Sequence, residues 1–361
     1  MNAQLNHPPS ATVHAQETNA ANAASARAPI AVIGAGVAGL TCAQELSKAG
    51  FRVVVFDKAR AAGGRITTRR RDDFEWDMGA SMMTASTPEF MEQIRAWQAW
   101  GLVRRWRGRF SGDDIGQSTS GPYYVGVPQM SELAKSLARK LDIRLSTKIE
   151  QIYQDADTAF WHLKDDKGQD CGSFQAVLST MPRPQTALLY EAHVDVTNGL
   201  RQCGDLMPTW SVFVAFQTWL DVPYDCRTFG SGPLKAIIRN NAKPGRPAQP
   251  ECWVLHADAA LSRKFIEHSR EAVAADLIAA LEFTLDKKLP QIIEARAHRW
   301  RYALPVGEAS FRCQFDNRLR LGFGGDWVKP PTDQFGGVEA AFLSGRALAQ
   351  QTIALRATQR R

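Results

Sequence analysis

The chain has 361 residues, 44% of them hydrophobic and 22% charged, with a formal charge of +7. That length can bury a large core and predicts about two domains. The charge is mild and its arginines cluster without interleaved aromatics (Arg69-Arg70-Arg71; Arg104, Arg105, Arg107, Arg109), which argues against nucleic acid and leaves solvated faces or an anionic small molecule.

Residues 1–28 are rich in Ala, Asn, Ser and Gln, with neither a basic start nor an apolar segment. A secretory signal needs both, so the reading is a disordered extension on a cytoplasmic protein. The six cysteines are scattered with no C-x-x-C pair, which argues against a zinc site or disulfide framework and suits a reducing compartment. No apolar run is long enough to span a membrane.

Ile30 to Ile33 is a short apolar run, as expected of a strand buried on both faces. Gly34, Gly36 and Gly39 follow as G-x-G-x-x-G, Leu40 to Lys48 reads as a helix ending at Gly50, and Val53 to Phe56 is a second buried strand closed by Asp57. Gly34 permits the tight turn, Gly36 lets backbone N–H groups approach a pyrophosphate, and Gly39 lets helix and strand pack closely. The helix N-terminus then offers Val37, Ala38 and Gly39 to the phosphates. Asp57 lies about 20 residues beyond the first glycine, where an acid can accept ribose hydroxyls, with Lys58 beside it. The unit predicts dinucleotide binding; a tight turn without a ligand is the alternative.

"GGR" at Gly63-Gly64-Arg65 and "WDMGA" at Trp76 to Ala80 come next. NAD binding requires no second glycine pair. In an FAD site the pair makes sense, because the longer cofactor brings further backbone to its second phosphate and ribityl chain, and Arg65 would add a charge-assisted contact. These motifs resemble the flavin amine oxidase superfamily, whose FAD-binding domain is of the p-hydroxybenzoate-hydroxylase-like Rossmann type.

A helix is predicted from Ser86-Thr87-Pro88-Glu89, with Phe90, Met91, Ile94, Trp97 and Trp100 as a core-facing stripe. An amphipathic helix follows from Ser131. Residues 142–181 read as strands and hairpins, in which Ile149 begins a strand resembling the one that meets adenine in these flavoproteins. Pro208 to Phe216 and Glu251 to Asp258 are strands of another sheet, and Ser269 opens an amphipathic helix through Val273, Leu277, Ile278, Leu281 and Leu285. Near the C-terminus, Asp326 would accept a ribityl or ribose hydroxyl. Gly336, Gly337 and Val338 open a last helix whose N-terminus can point at the flavin N1–O2 edge; a glycine turn entering a packing helix is the alternative.

The ordered series "GGRITTRR", "VGVPQMSELAKSLARKL", "TMPRPQ", "PTWSVFVAF", "IIRNNAKPGR", "WVLHAD", "HRWRYALP", "GGDW" and "GGVEAAFLSG" resembles the renalase family and its bacterial members. That resemblance implies a non-covalent FAD oxidase of misreduced dihydronicotinamide dinucleotides, the 2- or 6-dihydro isomers. Hydride would pass to flavin N5, and dioxygen would give NAD(P)+ and hydrogen peroxide. Relatives carry a Gln-aromatic pair where this chain has Ser81-Met82-Met83, so backbone from Ala80, Ser81 and Met82 is expected at the flavin. His256, Trp300 and Tyr302 are the candidates for the substrate pocket, the two aromatics on one strand face; core packing is the alternative for each. An amine oxidase, a flavin-dependent isomerase or desaturase, and a non-catalytic FAD-binding protein are rival functions. An amine oxidase would often place a lysine near N5, and no signal places Lys235 or Lys243 there.

The expected architecture is α/β. It combines a discontinuous FAD-binding domain (29–92, 123–189 and 297–356) with a mixed-sheet-plus-helix substrate domain (93–122 and 190–296).

Overall fold

The computed structural model describes residues 28–112, 122–331 and 335–358. The expected N-terminal extension up to residue 27, and the segment 113–121 of the expected substrate domain, lie outside them. Strand β1 (Ile30–Ile33), helix α1 (Val37–Lys48) and strand β2 (Val53–Phe56) form the predicted unit. Helix α1 begins at Val37 rather than Leu40, because Gly36 takes the extended cap conformation and every residue after it is helical. β1 and β2 lie in a six-stranded sheet ordered Cys313–Asp316, Leu321–Gly324, Ala176–Ser179, β1, β2, Asp142–Arg144. Its pairs are parallel except at the Cys313–Asp316 edge. Both faces are covered: Ile30 and Val32 join the core under α1, while Ala31 and Ile33 join one that includes Trp161, Leu163 and Phe174 of a three-stranded sheet. Two-sided burial explains the unbroken apolar runs.

A hairpin of β3 (Thr68–Arg71) and β4 (Phe74–Asp77) leads toward helix α2 (Pro88–Ala99), capped by the Thr87 side chain with Pro in the first turn. Phe90, Ile94 and Trp97 are buried as the stripe predicts, but Trp100 is 67% exposed because the helix has ended at the residue before it. The second sheet contains β5 (Asp205–Phe216) and β6 (Glu251–Ala257), with helix α3 (Arg270–Leu285) and edge strand β7 (Ile292–Val306). Trp210, Val212 and Val214 of β5 face α3, and the alternate residues Ser211, Phe213 and Ala215 face the β3–β4 hairpin. Trp76 of the hairpin packs on Phe213 at 6.2 Å and donates its indole N–H to the Val214 carbonyl.

The last helix, α4 (Gly337–Thr358), lies against α1, so close that a Cβ on Gly345 would sit 2.1 Å from the Ala38 carbonyl. Its first-turn Glu339 is buried and accepts from the backbone N–H and hydroxyl of both Ser86 and Thr87, which ties α2 to α4. The expected domain boundary at 297 falls inside β7, which pairs with β5 from Ile292 to Val306. Residues 297–306 therefore belong to the second sheet. Trp97 of α2, expected in the substrate domain, likewise packs on Phe342 of α4 in the first unit, as Phe90 at the start of α2 does. No helix among the described residues is long and apolar enough to cross a membrane.

Candidate active site

The glycine loop after β1 is tight where it meets protein and open where a ligand would lie. A Cβ on Gly39 would stand 1.9 Å from the Gly34 carbonyl, and one on Gly34, at φ +112°, 2.7 Å from Thr180 Oγ1. A Cβ on Gly36 would meet nothing within 4 Å. Helix α1 has no side-chain cap and no acid in its first turn, so the N–H groups of Val37, Ala38 and Gly39 keep the positive end of the helix uncompensated. Such an open, uncapped N-terminus fits a pyrophosphate. The Asp57 carboxylate accepts from Ala35 N at 2.7 Å and Ala59 N at 2.8 Å, fixing the loop while lone pairs remain for ribose hydroxyls. Lys58 is exposed beside it, and Thr147 N bonds the Asp57 carbonyl, which brings the strand starting at Ile149 to the same end.

The second glycine pair packs onto the first loop. Gly63 N donates to the Ala35 carbonyl at 2.8 Å, and a Cβ on Gly64 would lie 3.4 Å from Gly36 Cα. "DMGA" closes over it: Ala80 N donates to the Arg65 carbonyl, and a Cβ on Gly79 would lie 2.0 Å from that oxygen. The Arg65 guanidinium grips both oxygens of Asp326 and also donates to the Ala303 carbonyl of β7. The two residues that the sequence reading assigned separately, to phosphate and to hydroxyl, are thus each other's partners. Gly337 stands beside them, its would-be Cβ 3.8 Å from Asp326 Oδ2, and Val338 is buried behind it. Ser81 and Met82 are buried as well.

His256 and Trp300 come together around a residue the sequence reading missed. Ser211 pairs across the sheet with His256 on one side and His298 on the other, so all three point to the hairpin face. Trp300 Nε1 lies 3.1 Å from Ser211 Oγ, Ser211 Oγ 2.9 Å from His256 Nδ1, and His256 Nε2 3.5 Å from Ser81 Oγ. Ser81 Oγ then reaches the Asp77 carbonyl at 3.0 Å. The His298 ring meets Trp300 edge to face at 4.2 Å. Burial, helped by the Lys243 charge, pulls His256 down to about 4; burial with Arg270 and Arg69 does the same to His298. Both imidazoles are neutral near pH 7. Tyr302 is not with Trp300. The register of β7 on β5 shifts between Trp300 and Leu304, and Tyr302 packs with the core that contains Tyr190 and Trp327, whereas Trp300 packs with Trp76 and Phe213. A bulge has broken the period of two that put both rings on one face.

Beneath this group, Asp77 is fully buried with Lys243 Nζ at 3.0 Å and Arg246 Nη2 at 2.6 Å. Thr68 Oγ1 and Met130 N also donate to it. Burial alone would raise the Asp77 carboxyl, but two cations and these donors hold it well below the usual carboxylate range. Lys243 shares that one carboxylate with Arg246, so burial and the neighbouring charge bring it down to about 8. Lys243 also donates to Asn240, so its ammonium is committed to a structural network. Lys235 reaches the Phe229 carbonyl. All six cysteines are free and buried, and no group of metal-ligating side chains occurs among the described residues.

Residues 107–353, more than half of the chain, match the flavin containing amine oxidoreductase family, and residues 32–97 match an NAD(P)-binding Rossmann-like domain. The zeta-carotene-forming phytoene desaturase of Myxococcus xanthus is 42% identical over 64 residues, 18% of this chain and 12% of that protein. Protoporphyrinogen oxidase 2 of Arabidopsis thaliana is 40% identical over 60 residues, 17% of this chain and 12% of that protein. These matches span only about an eighth of the relatives' length. A solved structure from Exiguobacterium sp. 255-15, named for protoporphyrinogen oxidase, has a TM-score of 0.72 at 13% identity, covering 91% of this chain and 99% of that one. A triple mutant of putrescine oxidase gives 0.65 at 12%, with the same coverage. At such identities the structures share the fold.

Proposed function

We propose that this chain, which belongs to the flavin containing amine oxidoreductase family, is an FAD-dependent enzyme that oxidises dihydronicotinamide dinucleotides reduced at ring position 2 or 6, with dioxygen as the final acceptor. The observation that carries this reading is that the basic groups of this wall are already engaged, His256 Nδ1 at 2.9 Å from Ser211 Oγ and Lys243 Nζ at 3.0 Å from Asp77. An imidazole near 4 is a poor proton acceptor at pH 7, and the ammonium of Lys243 is locked on Asp77. A protonated amine would have to give up its proton before oxidation, and this wall offers it little help. A misreduced dihydropyridine needs no deprotonation: losing hydride makes its ring aromatic, so the site must supply shape and orientation. Bound FAD supplies the hydride acceptor and its reoxidation by dioxygen, with hydrogen peroxide as product.

In this reading the open N-terminus of α1, Asp57 and the Gly63–Gly64 turn hold the dinucleotide, without a covalent link. Trp300, held by His298 and Ser211, offers its face to the nicotinamide. Arg69 and Arg270 at His298 would meet the substrate phosphates. Anaerobic stopped-flow reduction with the 2-, 4- and 6-dihydro isomers and a panel of primary amines is the test. The 2- or 6-dihydro isomers should bleach the flavin fastest and the 4-dihydro isomer far more slowly. An amine faster than every isomer would replace this reading with an amine oxidase.

A further inference from the structure

The hydrogen-bond chain from Trp300 to Asp77 has only one consistent direction. An indole N–H can only donate, and a backbone carbonyl can only accept. Trp300 Nε1–H therefore donates to Ser211 Oγ, and the Asp77 carbonyl accepts from the Ser81 hydroxyl. Between these fixed ends, Ser211 has one proton left to give, and His256 Nδ1 at 2.9 Å is the acceptor that receives it. The imidazole must then carry its own proton on Nε2, turned toward Ser81 Oγ. Each link holds one proton. The reverse tautomer would place two donors on Ser211 Oγ and strand its hydroxyl hydrogen at a position where the residue is 0% exposed.

From this geometry we infer that Ser211 is a positioning residue: one hydroxyl fixes His256 as the Nε2–H tautomer and holds the Trp300 indole at the same time. Through Trp300 it ties the edge strand β7 to the centre of the sheet, and through His256 to the Ser81 segment. The position suits the task. Ser211 is the middle residue of a row that also contains His256 and His298, so its hydroxyl is within reach of both neighbouring strands. Alanine would leave Trp300 Nε1 and His256 Nδ1 without these partners and free the imidazole to exchange tautomers. The inference rests on the proposed function only for the part that Trp300 and His256 play toward the substrate; the tautomer assignment stands on geometry alone.

The test uses FAD-loaded enzyme with 15N-labelled histidine and tryptophan, as wild type, Ser211→Ala, Ser211→Thr and Ser211→Cys. Cysteine, slightly larger than serine, leaves no cavity while weakening both bonds, which guards against a cavity-driven folding defect in the alanine enzyme. In wild type, the His256 signals should report a protonated Nε2 and bare Nδ1. Ser211→Ala and Ser211→Cys should move them toward a tautomer mixture and shift the Trp300 indole signal, with FAD content unchanged. The limiting rate of anaerobic flavin reduction should fall on the order of 10- to 100-fold with a smaller change in the half-saturating concentration, and Ser211→Thr should restore signals and rate. Unchanged imidazole signals in Ser211→Ala would overturn the inference, as would a Ser211→Thr enzyme that behaves like Ser211→Ala. Shifted signals with an unchanged reduction rate would overturn the positioning role. If the imidazole responds as expected but no dihydropyridine isomer reduces the flavin, the tautomer assignment stands and the proposed function falls.

Discussion

Arg65 and Asp326, 261 positions apart, meet through two parallel N–H···O bonds of 2.7 and 2.6 Å. The same guanidinium donates to the Ala303 carbonyl, so one side chain joins the "GGR" turn, the segment before α4 and the second sheet. Both ends of the proposed cofactor site depend on this clamp.

Removing it should therefore loosen the flavin before it unfolds the chain. Asp326 is 4% exposed in its side chain and Arg65 33%, so Arg65→Ala leaves a buried carboxylate without its cation. The expected loss is about 2 kcal/mol, the range of a hydrogen-bonded charge discounted for partial exposure. Arg65→Lys should recover only part of it, because an ammonium cannot make two parallel bonds. Denaturant unfolding and flavin content after gel filtration would check this; an Arg65→Ala enzyme with full flavin and unchanged stability would refute it.

The Asp77 network predicts an ordered pair of effects. Asp77→Asn strands Lys243 and Arg246 together in the core and should cost about 3–5 kcal/mol, as breaking a buried pair does. Lys243→Met leaves Arg246 to neutralise Asp77 and should cost less. The pH dependence follows from the lowered carboxyl: the stabilisation is complete above the unfolded carboxylate pKa near 4 and fades as the pH falls through the folded value. Chemical denaturation of both variants at neutral and acidic pH would test the order.

Much of the first unit was legible because each of its features is local. Gly34 and Gly39 meet at one tight turn and Gly36 between them leaves room for a ligand, a pattern written within one short loop, and the Thr87 and Ser269 caps bond within their own first turns. What could not be read depends on distant partners. Ser211 lies in an apolar strand and resembles any small polar residue until the sheet puts His256 and Trp300 beside it. Arg65 carried a charge signal, but the sequence could not show that Asp326 would claim it. The boundary at 297 falls inside β7, whose pairing with the distant β5 continues on both sides of it, and Tyr302 was misplaced by a bulge that leaves no composition signal.

His256 gives a second pH dependence of opposite origin. Its folded pKa, about 4, lies below the usual 6.5 of an unfolded histidine because burial and Lys243 disfavour the cation. As the pH falls below 6.5 the unfolded chain gains a proton that the folded site refuses, so stability declines between about 6.5 and 4. His298 adds in the same sense. His256→Gln should flatten part of this slope in denaturant midpoints taken across that range. A slope identical to wild type would mean that His256 titrates normally in the folded protein.

The last prediction concerns Arg69 and Arg270. On the hairpin, Arg71 bonds Glu294 of β7, and Arg69, two residues back on the same face, sits opposite Trp76, which packs over Phe213. Phe213 pairs with Arg296, and the next inward-facing residue of β7 is His298, so the register itself carries Arg69 toward that imidazole. Arg270 arrives from the start of α3, where Arg299 of β7 already bonds the Ile266 carbonyl. After burial, these two charges are what lower His298, which makes the imidazole a built-in reporter of them. Arg69→Gln and Arg270→Gln should each raise the His298 pKa in a 15N titration. If the substrate is a dinucleotide, each should also raise KM for the dinucleotide by about tenfold, the equivalent of roughly 1.4 kcal/mol and within the range of one charged hydrogen bond. KM for an uncharged N-alkyl dihydronicotinamide should not change, and added salt should weaken only the charged substrate. Equal effects on both substrates would show that the arginines shape the pocket without reading the phosphates. A shifted His298 titration with no change in either KM would place the phosphates elsewhere on the protein.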